Sequence, residues 1–191
     1  MKNSGSLFVY ESDPKNIRSF KEAAQRASVD NYRILSDTQI GEVKSLDTVV
    51  IEAPSTNLGL LAHHPELKWK LTKDECARLQ KLQAALLREA GRKLKLGGYV
   101  IYTTHTLSKS ENENQIDHFI RGSHSSFRVV SMTTHLKDFV LPYMNNHFHF
   151  SWDEKLYSSM VEHDPFLMLS PDQHGTAGLF VSVLQRVRIS S

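Results

Sequence analysis

The chain has 191 residues, 40% of them hydrophobic and 23% charged, with a formal net charge of +2. That suits one soluble globular domain able to bury roughly 70% of its unfolded surface, and it excludes a disordered or fibrous chain. The single cysteine, Cys76, excludes an intrachain disulfide, and no run of about 18 apolar residues offers a membrane span. Residues 1–6 are polar and small, and Glu11 and Asp13 come early, so neither a secretory signal nor an acid-poor presequence is expected. An intracellular setting follows, whether mitochondrial, cytoplasmic or nucleolar.

Leu7-Phe8-Val9-Tyr10 reads as a short strand ending at Glu11. Asp13 caps, and Pro14 opens, a helix running to about Ala27, with Ile17, Phe20 and Ala24 on its inner face. Tyr32-Arg33-Ile34-Leu35 is a second strand, ending at Asp37, and Asp47–Ile51 a third. A helix is predicted from Thr72 to about Leu94, with Thr72 and Glu75 as a capping box and Leu79, Leu82, Leu86 and Ala90 on one face. Gly97-Gly98 closes the connection to a fourth strand, Tyr99–Thr103. A helix over Glu111–Arg121, a strand over Phe127–Met132 and a last strand over Leu179–Leu184 complete the pattern. The region 133–172 is irregular and aromatic. Strands alternating with helices predict an α/β fold with a mainly parallel sheet, and no linker or repeat divides the chain.

Two strand tips carry the candidate chemistry. Thr48–Ile51 runs into Glu52-Ala53-Pro54-Ser55, and Tyr99–Tyr102 runs into Thr103-Thr104-His105-Thr106. Open α/β sheets place their ligands at such carboxyl ends. With His64-Pro65-Glu66, Lys68-Trp69, Leu79-Gln80, Gly97-Gly98 and Glu111-Asn112-Glu113 in order, the layout resembles the RsmB/NOP/Sun family of SAM-dependent RNA cytosine-5 methyltransferases. The resemblance implies a Rossmann-like methyltransferase sheet over residues 1–191 as one partial domain. It also implies RNA, chiefly rRNA, as partner.

The family carries Asp-Ala-Pro-Cys and Thr-Cys-Ser at these tips, and its two cysteines do the chemistry. Here Ser55 and His105 stand at those positions and Glu52 replaces the aspartate. A thiol is partly ionised near neutral pH, whereas a serine hydroxyl needs an adjacent base. His105 can be that base if it reaches Ser55 Oγ at hydrogen-bond distance, which leaves two readings: a Ser55–His105 pair, or loss of both nucleophiles. The extra methylene of Glu52 favours loss.

By the same resemblance, Glu11 matches the acid that holds the SAM ribose and Asp37 the acid near the adenine. Taken alone, each is a helix cap or a solvated carboxylate. The family's glycine-rich SAM loop has no counterpart around Gly5, and the strand it follows lies at the centre of the family sheet. A partner chain is therefore expected between the Phe8 and Val49 strands, unless those strands pair directly.

Other candidates are weaker. Cys76 falls on the apolar stripe and reads as a buried structural thiol. His147 and His149 share one face of an extended segment without a third ligand, so no metal is expected. His147–Trp152 reads as a hydrophobic cover or protein contact, or as a base-stacking surface. Lys70, Lys73, Arg78, Lys81, Arg88, Arg92, Lys93 and Lys95 form either a solvated helix face or an RNA-phosphate surface. The leading expectation is a non-catalytic, RNA-binding or structural component of a ribonucleoprotein, of the ribosomal kind. An active SAM-dependent subunit completed by a partner chain, and a protein–protein scaffold, are the alternatives.

Overall fold

The computed structural model describes residues 4–123, 126–136, 158–159 and 162–188. These divide into two compact units, Met1–Lys44 and Ser45–Ser191. The His147–Trp152 segment lies outside the described residues.

The first unit holds β1 (Leu7–Val9), α1 (Pro14–Arg26), β2 (Tyr32–Ile34) and α2 (Asp37–Glu42). Asp13 accepts from the Lys15 N–H with Pro14 in the first turn, as the sequence predicts. β1 and β2 pair in parallel, Phe8 opposite Arg33, and the Phe20 and Tyr32 rings meet edge to face at 5.1 Å. Asp37 does not end a strand. It opens α2, because Ser36 and Gln39 form a complete capping box in front of it.

The second unit is built on β3 (Leu46–Glu52), α3 (Leu67–Lys70), α4 (Lys73–Lys93), β4 (Leu94–Thr104) and α5 (Glu113–Gly122). It continues with β5 (Phe127–Val130), α6 (Met132–His135), β6 (Leu167–Leu169), α7 (Pro171–His174) and β7 (Leu179–Arg186). The strand order is β3-β4-β7-β5, with β6 also on β7. β3 and β4 are parallel, Ile51 opposite Tyr102, whereas β7 runs against β4, β5 and β6. This sheet is therefore mixed, with its one parallel pair among the described residues at β3–β4, and the first unit has its own parallel two-stranded sheet, β1–β2. The second unit's main core joins Ile51, Leu87, Val100, Tyr102, Ile116 and Phe180.

α4 differs from its predicted form in three ways. Thr72 accepts from the Glu75 N–H, but the Glu75 carboxylate turns to Arg78 at 2.7 Å, so the capping box is half made. The buried stripe is Leu79, Gln83, Leu87 and Ala90, leaving Leu82 exposed and Cys76 half-buried. The stripe shifts because Gln83 is drawn in by polar partners described below. Finally, β4 starts at Leu94, directly after the helix. Gly97, with φ of 81°, and Gly98, where a Cβ would sit 2.9 Å from the Asp47 carbonyl oxygen, lie within the strand opposite an irregular register of β3.

Among the described residues, β3 pairs only with β4 and β1 only with β2. On β3, Val50 is 66% exposed. No helix among the described residues is long and apolar enough to cross a membrane.

Candidate functional site at the strand tips

β3 and β4 bring the two tips side by side. The Ala53 N–H donates to the Thr103 carbonyl at 2.9 Å, and the Gly59 N–H to the His105 carbonyl at 3.0 Å. The loop after the first tip is held against the approach to β7 as well, since the Gly178 N–H donates to the Gly59 carbonyl at 2.8 Å. The two backbones touch there. A Cβ on Gly59 would lie 2.6 Å from the Gly178 Cα, so glycine is required by close approach.

Beneath the tips lies a buried polar layer centred on Glu111, which is 1% exposed. Its Oε2 accepts from the Thr56 N–H at 2.9 Å and from Gln83 Nε2 at 3.0 Å. Its Oε1 accepts from the Thr56 hydroxyl at 2.6 Å. That commits the Thr56 proton, so Thr106, 3.0 Å away, donates to Thr56. Gln83 also donates to the Pro54 carbonyl at 2.8 Å, and the Asn112 amide to the Thr106 carbonyl at 2.9 Å. The Tyr102 hydroxyl donates to the Glu111 carbonyl at 2.7 Å, and burial together with the Glu111 charge pushes its pKa upward. One carboxylate thus fixes both tips through neutral donors.

The predicted chemical residues sit above this layer. The Ser55 hydroxyl donates to Asn57 Oδ1 at 3.0 Å, with Asn57 in the left-handed region at φ of 56°. His105 Nε2 lies 3.5 Å from Glu52 Oε1, the His105 side chain being 38% exposed and that of Glu52 79%. His105 Nδ1 is buried with no hydrogen-bond partner. A nucleophile–base pair needs the serine proton aimed at the imidazole. Here that proton goes to an amide, and the imidazole faces a carboxylate instead.

Glu11 and Asp37 both lie in the first unit, Glu11 shortly after β1 and Asp37 at the start of α2. Glu11 Oε1 accepts from the N–H groups of Asp13 (2.8 Å) and Ser12 (2.7 Å), and its Oε2 from Asn16 at 3.1 Å. The Asp13 bond, then that from Asn16, holds the Glu11 carboxyl below the usual range. Asp37 Oδ1 accepts from the Tyr10 hydroxyl at 2.8 Å, which raises the Tyr10 pKa. A carboxylate offers about four acceptor positions, so both groups keep capacity toward ribose hydroxyls or an adenine amine. A nucleoside-type cofactor bound here would be held through these remaining acceptor positions of Glu11 and Asp37.

His64 Nδ1 meets Glu66 at 3.3 Å on the surface, and no cluster of three metal-type ligands occurs among the described residues. The sequence reading missed Glu111 as the organiser of the site. The one available signal was Gln83, a polar residue at helical spacing between Leu79 and Leu87.

Comparison with known proteins agrees with this frame. A profile of the 16S rRNA methyltransferase RsmB/F family matches residues 1–185. A probable ribosomal RNA small subunit methyltransferase B of Bacillus subtilis is 26% identical over 97% of this chain, which spans 39% of that protein. A namesake from Synechocystis is 30% identical over 67% of the chain and is covered over 30% of its length. A solved methyltransferase homolog from Pyrococcus horikoshii superposes with a TM-score of 0.69 at 25% identity, over 98% of this chain and 55% of that one. NSun6 from Pyrococcus horikoshii, solved with SFG, shares the fold with a TM-score of 0.71 at 21% identity, over 98% and 43%. With the two tips, the motif order and 185 matched residues in agreement, the chain belongs to the RsmB/F family of 16S rRNA methyltransferases.

Proposed function

We propose that this chain is an RNA-binding component of a ribonucleoprotein, with ribosomal RNA as its partner, and that it does not itself methylate cytosine C5. The observation that carries the proposal is the pairing at the tips. Ser55 donates to Asn57, His105 faces Glu52, and the only thiol, Cys76, is on α4. C5 methylation requires a nucleophile that adds to C6 of the ring, and a serine hydroxyl without a base is a poor one.

RNA contact is supported by Trp69, which is 84% exposed on α3. Lys68 Nζ lies 5.7 Å from its ring centroid, and Lys70 is on the same short helix. An exposed ring among cations offers a face on which an unpaired base can stack, contributing about 1–3 kcal/mol per base. A partner protein is supported by the edge of β3 that has no pairing strand among the described residues and by Val50 on that strand, since an unpaired edge invites a further strand.

The test is methyl transfer from labelled SAM to small-subunit rRNA, using the protein with whatever chains co-purify. The expected result is RNA retained at moderate salt with no C5-methylcytosine formed. Methylated cytosine that disappears in Ser55→Ala would overturn the proposal.

A second reading is an active subunit whose glycine-rich loop comes from a partner chain. The acceptor capacity left on Glu11 and Asp37 favours it, since those groups suit the ribose and adenine of SAM. It expects one SAM per assembly by calorimetry, and weakened binding in Glu11→Ala.

A further inference from the structure

At the opposite edge of the β3–β4–β7–β5 sheet, α4 and α5 flank a pocket of about 300 Å³. Its place follows from strand direction. The tips lie where β3 and β4 end, whereas the pocket lies by Phe127 and Arg186, paired where β5 starts and β7 ends. From Tyr99 to Thr104, β4 covers about 17 Å between the two. A ligand here does not occupy the tip site.

The lining is one-signed. Arg88 and Arg92 are one turn apart on α4, His118 projects from α5, and Arg186 comes from β7, with no carboxylate among the lining residues. The floor is apolar, made by Phe119 and Phe127, whose ring centroids are 4.9 Å apart. Part of this charge has an ordinary use. Arg186 donates to the Leu94 carbonyl at the end of α4, and Arg92 pairs with Glu89 at 2.5 Å on the surface. The C-terminal ends of α4 and α5 also favour cations nearby, each carrying about half a negative charge. Three guanidinium groups exceed those two half-charges and the Glu89 carboxylate together by about one unit of charge. Arg88 has no hydrogen bond or ion pair among the described residues, and an Arg92–Glu89 pair so exposed contributes little.

We infer that this pocket is a nucleotide-binding site, with a phosphate on Arg88 and Arg92 and the sugar and base in the cleft between α4 and α5, against the ring edges of the largely buried Phe119 and Phe127. A volume of this size is at the small end of ligand pockets and admits one nucleotide. Planar guanidinium groups suit phosphate oxygens in paired geometry. The nucleotide is either free or one unit of an RNA strand. Only the second source rests on the RNA-binding proposal above.

The test is calorimetric titration of the full protein with uridine 5′-monophosphate, uridine and a five-residue oligouridylate. The same titrations are made on Arg88→Gln/Arg92→Gln, whose fold is checked by circular dichroism. The monophosphate is expected to bind at least tenfold more tightly than uridine, and the double substitution to weaken it at least tenfold. A parallel loss for the oligouridylate identifies an RNA strand as the source. Its affinity should then depend less on salt, the log–log slope falling by roughly 0.7 for each phosphate no longer held. An unchanged oligouridylate affinity identifies a free nucleotide. If the well-folded variant binds both phosphorylated ligands as tightly as the parent, or if the parent binds no monophosphate and the oligouridylate affinity is unchanged by substitution, the site is refuted, while RNA binding elsewhere on the surface stands. Monophosphate bound and lost on substitution, with no RNA bound by the parent, upholds the pocket and refutes the RNA proposal.

Discussion

Glu111 is buried with both carboxylate oxygens occupied, whereas His105, at the end of the strand just before it, leaves one ring nitrogen buried without a partner and faces an exposed carboxylate 3.5 Å away with the other. The two residues help build the same pair of tips under different constraints. A buried donor or acceptor left unpaired costs about 1–3 kcal/mol, so the layer under the tips is maintained by folding whether or not chemistry occurs above it. Ser55 and His105, on top, take no part in that network. An intact layer therefore reports the family frame, and only the tip residues report activity.

The comparison breaks most directly at Glu111. Glu111→Ala strips acceptors from the Thr56 N–H and hydroxyl and from Gln83, all buried. The expected loss is about 3 kcal/mol or more in urea unfolding. Gly59→Ala follows, since its Cβ meets the Gly178 backbone at 2.6 Å; about 2 kcal/mol is expected, read as a lowered melting temperature. Tyr102→Phe removes one donor to the Glu111 carbonyl and should cost about 1 kcal/mol. Ser55→Ala and His105→Ala should each change stability by no more than about 0.5 kcal/mol, because their side chains lie outside the layer. A large loss from either tip substitution, or a negligible one from Glu111→Ala, would show that the line between the regions is misdrawn.

Much of the frame was legible in the sequence because local chemistry sets it. Asp13 before Pro14, Thr72 before α4 and apolar runs ending in polar tips each depend on neighbours within a few residues. Some local signals compete with one another: Ser36 and Gln39 spell a capping box, yet Asp37 reads as the end of a strand until α2 is seen. The Glu111 layer was illegible for another reason. It joins Thr56, Gln83 and Thr106 across long sequence separations, and Gln83 on the apolar stripe of α4 signals a buried polar partner without saying which. The direction of β7 was hidden likewise, because an apolar run reads the same either way along a sheet. At the site, residue types pointed to a Ser55–His105 pair or to its loss. The choice turns on where one hydroxyl proton goes, and that required the αL turn at Asn57.

The central claim is that the frame persists without its reaction. Its most direct test is the C5-methylcytosine content of small-subunit rRNA after incubation with labelled SAM and the purified protein together with its co-purifying chains. The account predicts none above a protein-free control. Methyl label on cytosine C5 that is abolished by Ser55→Ala or His105→Ala would contradict it.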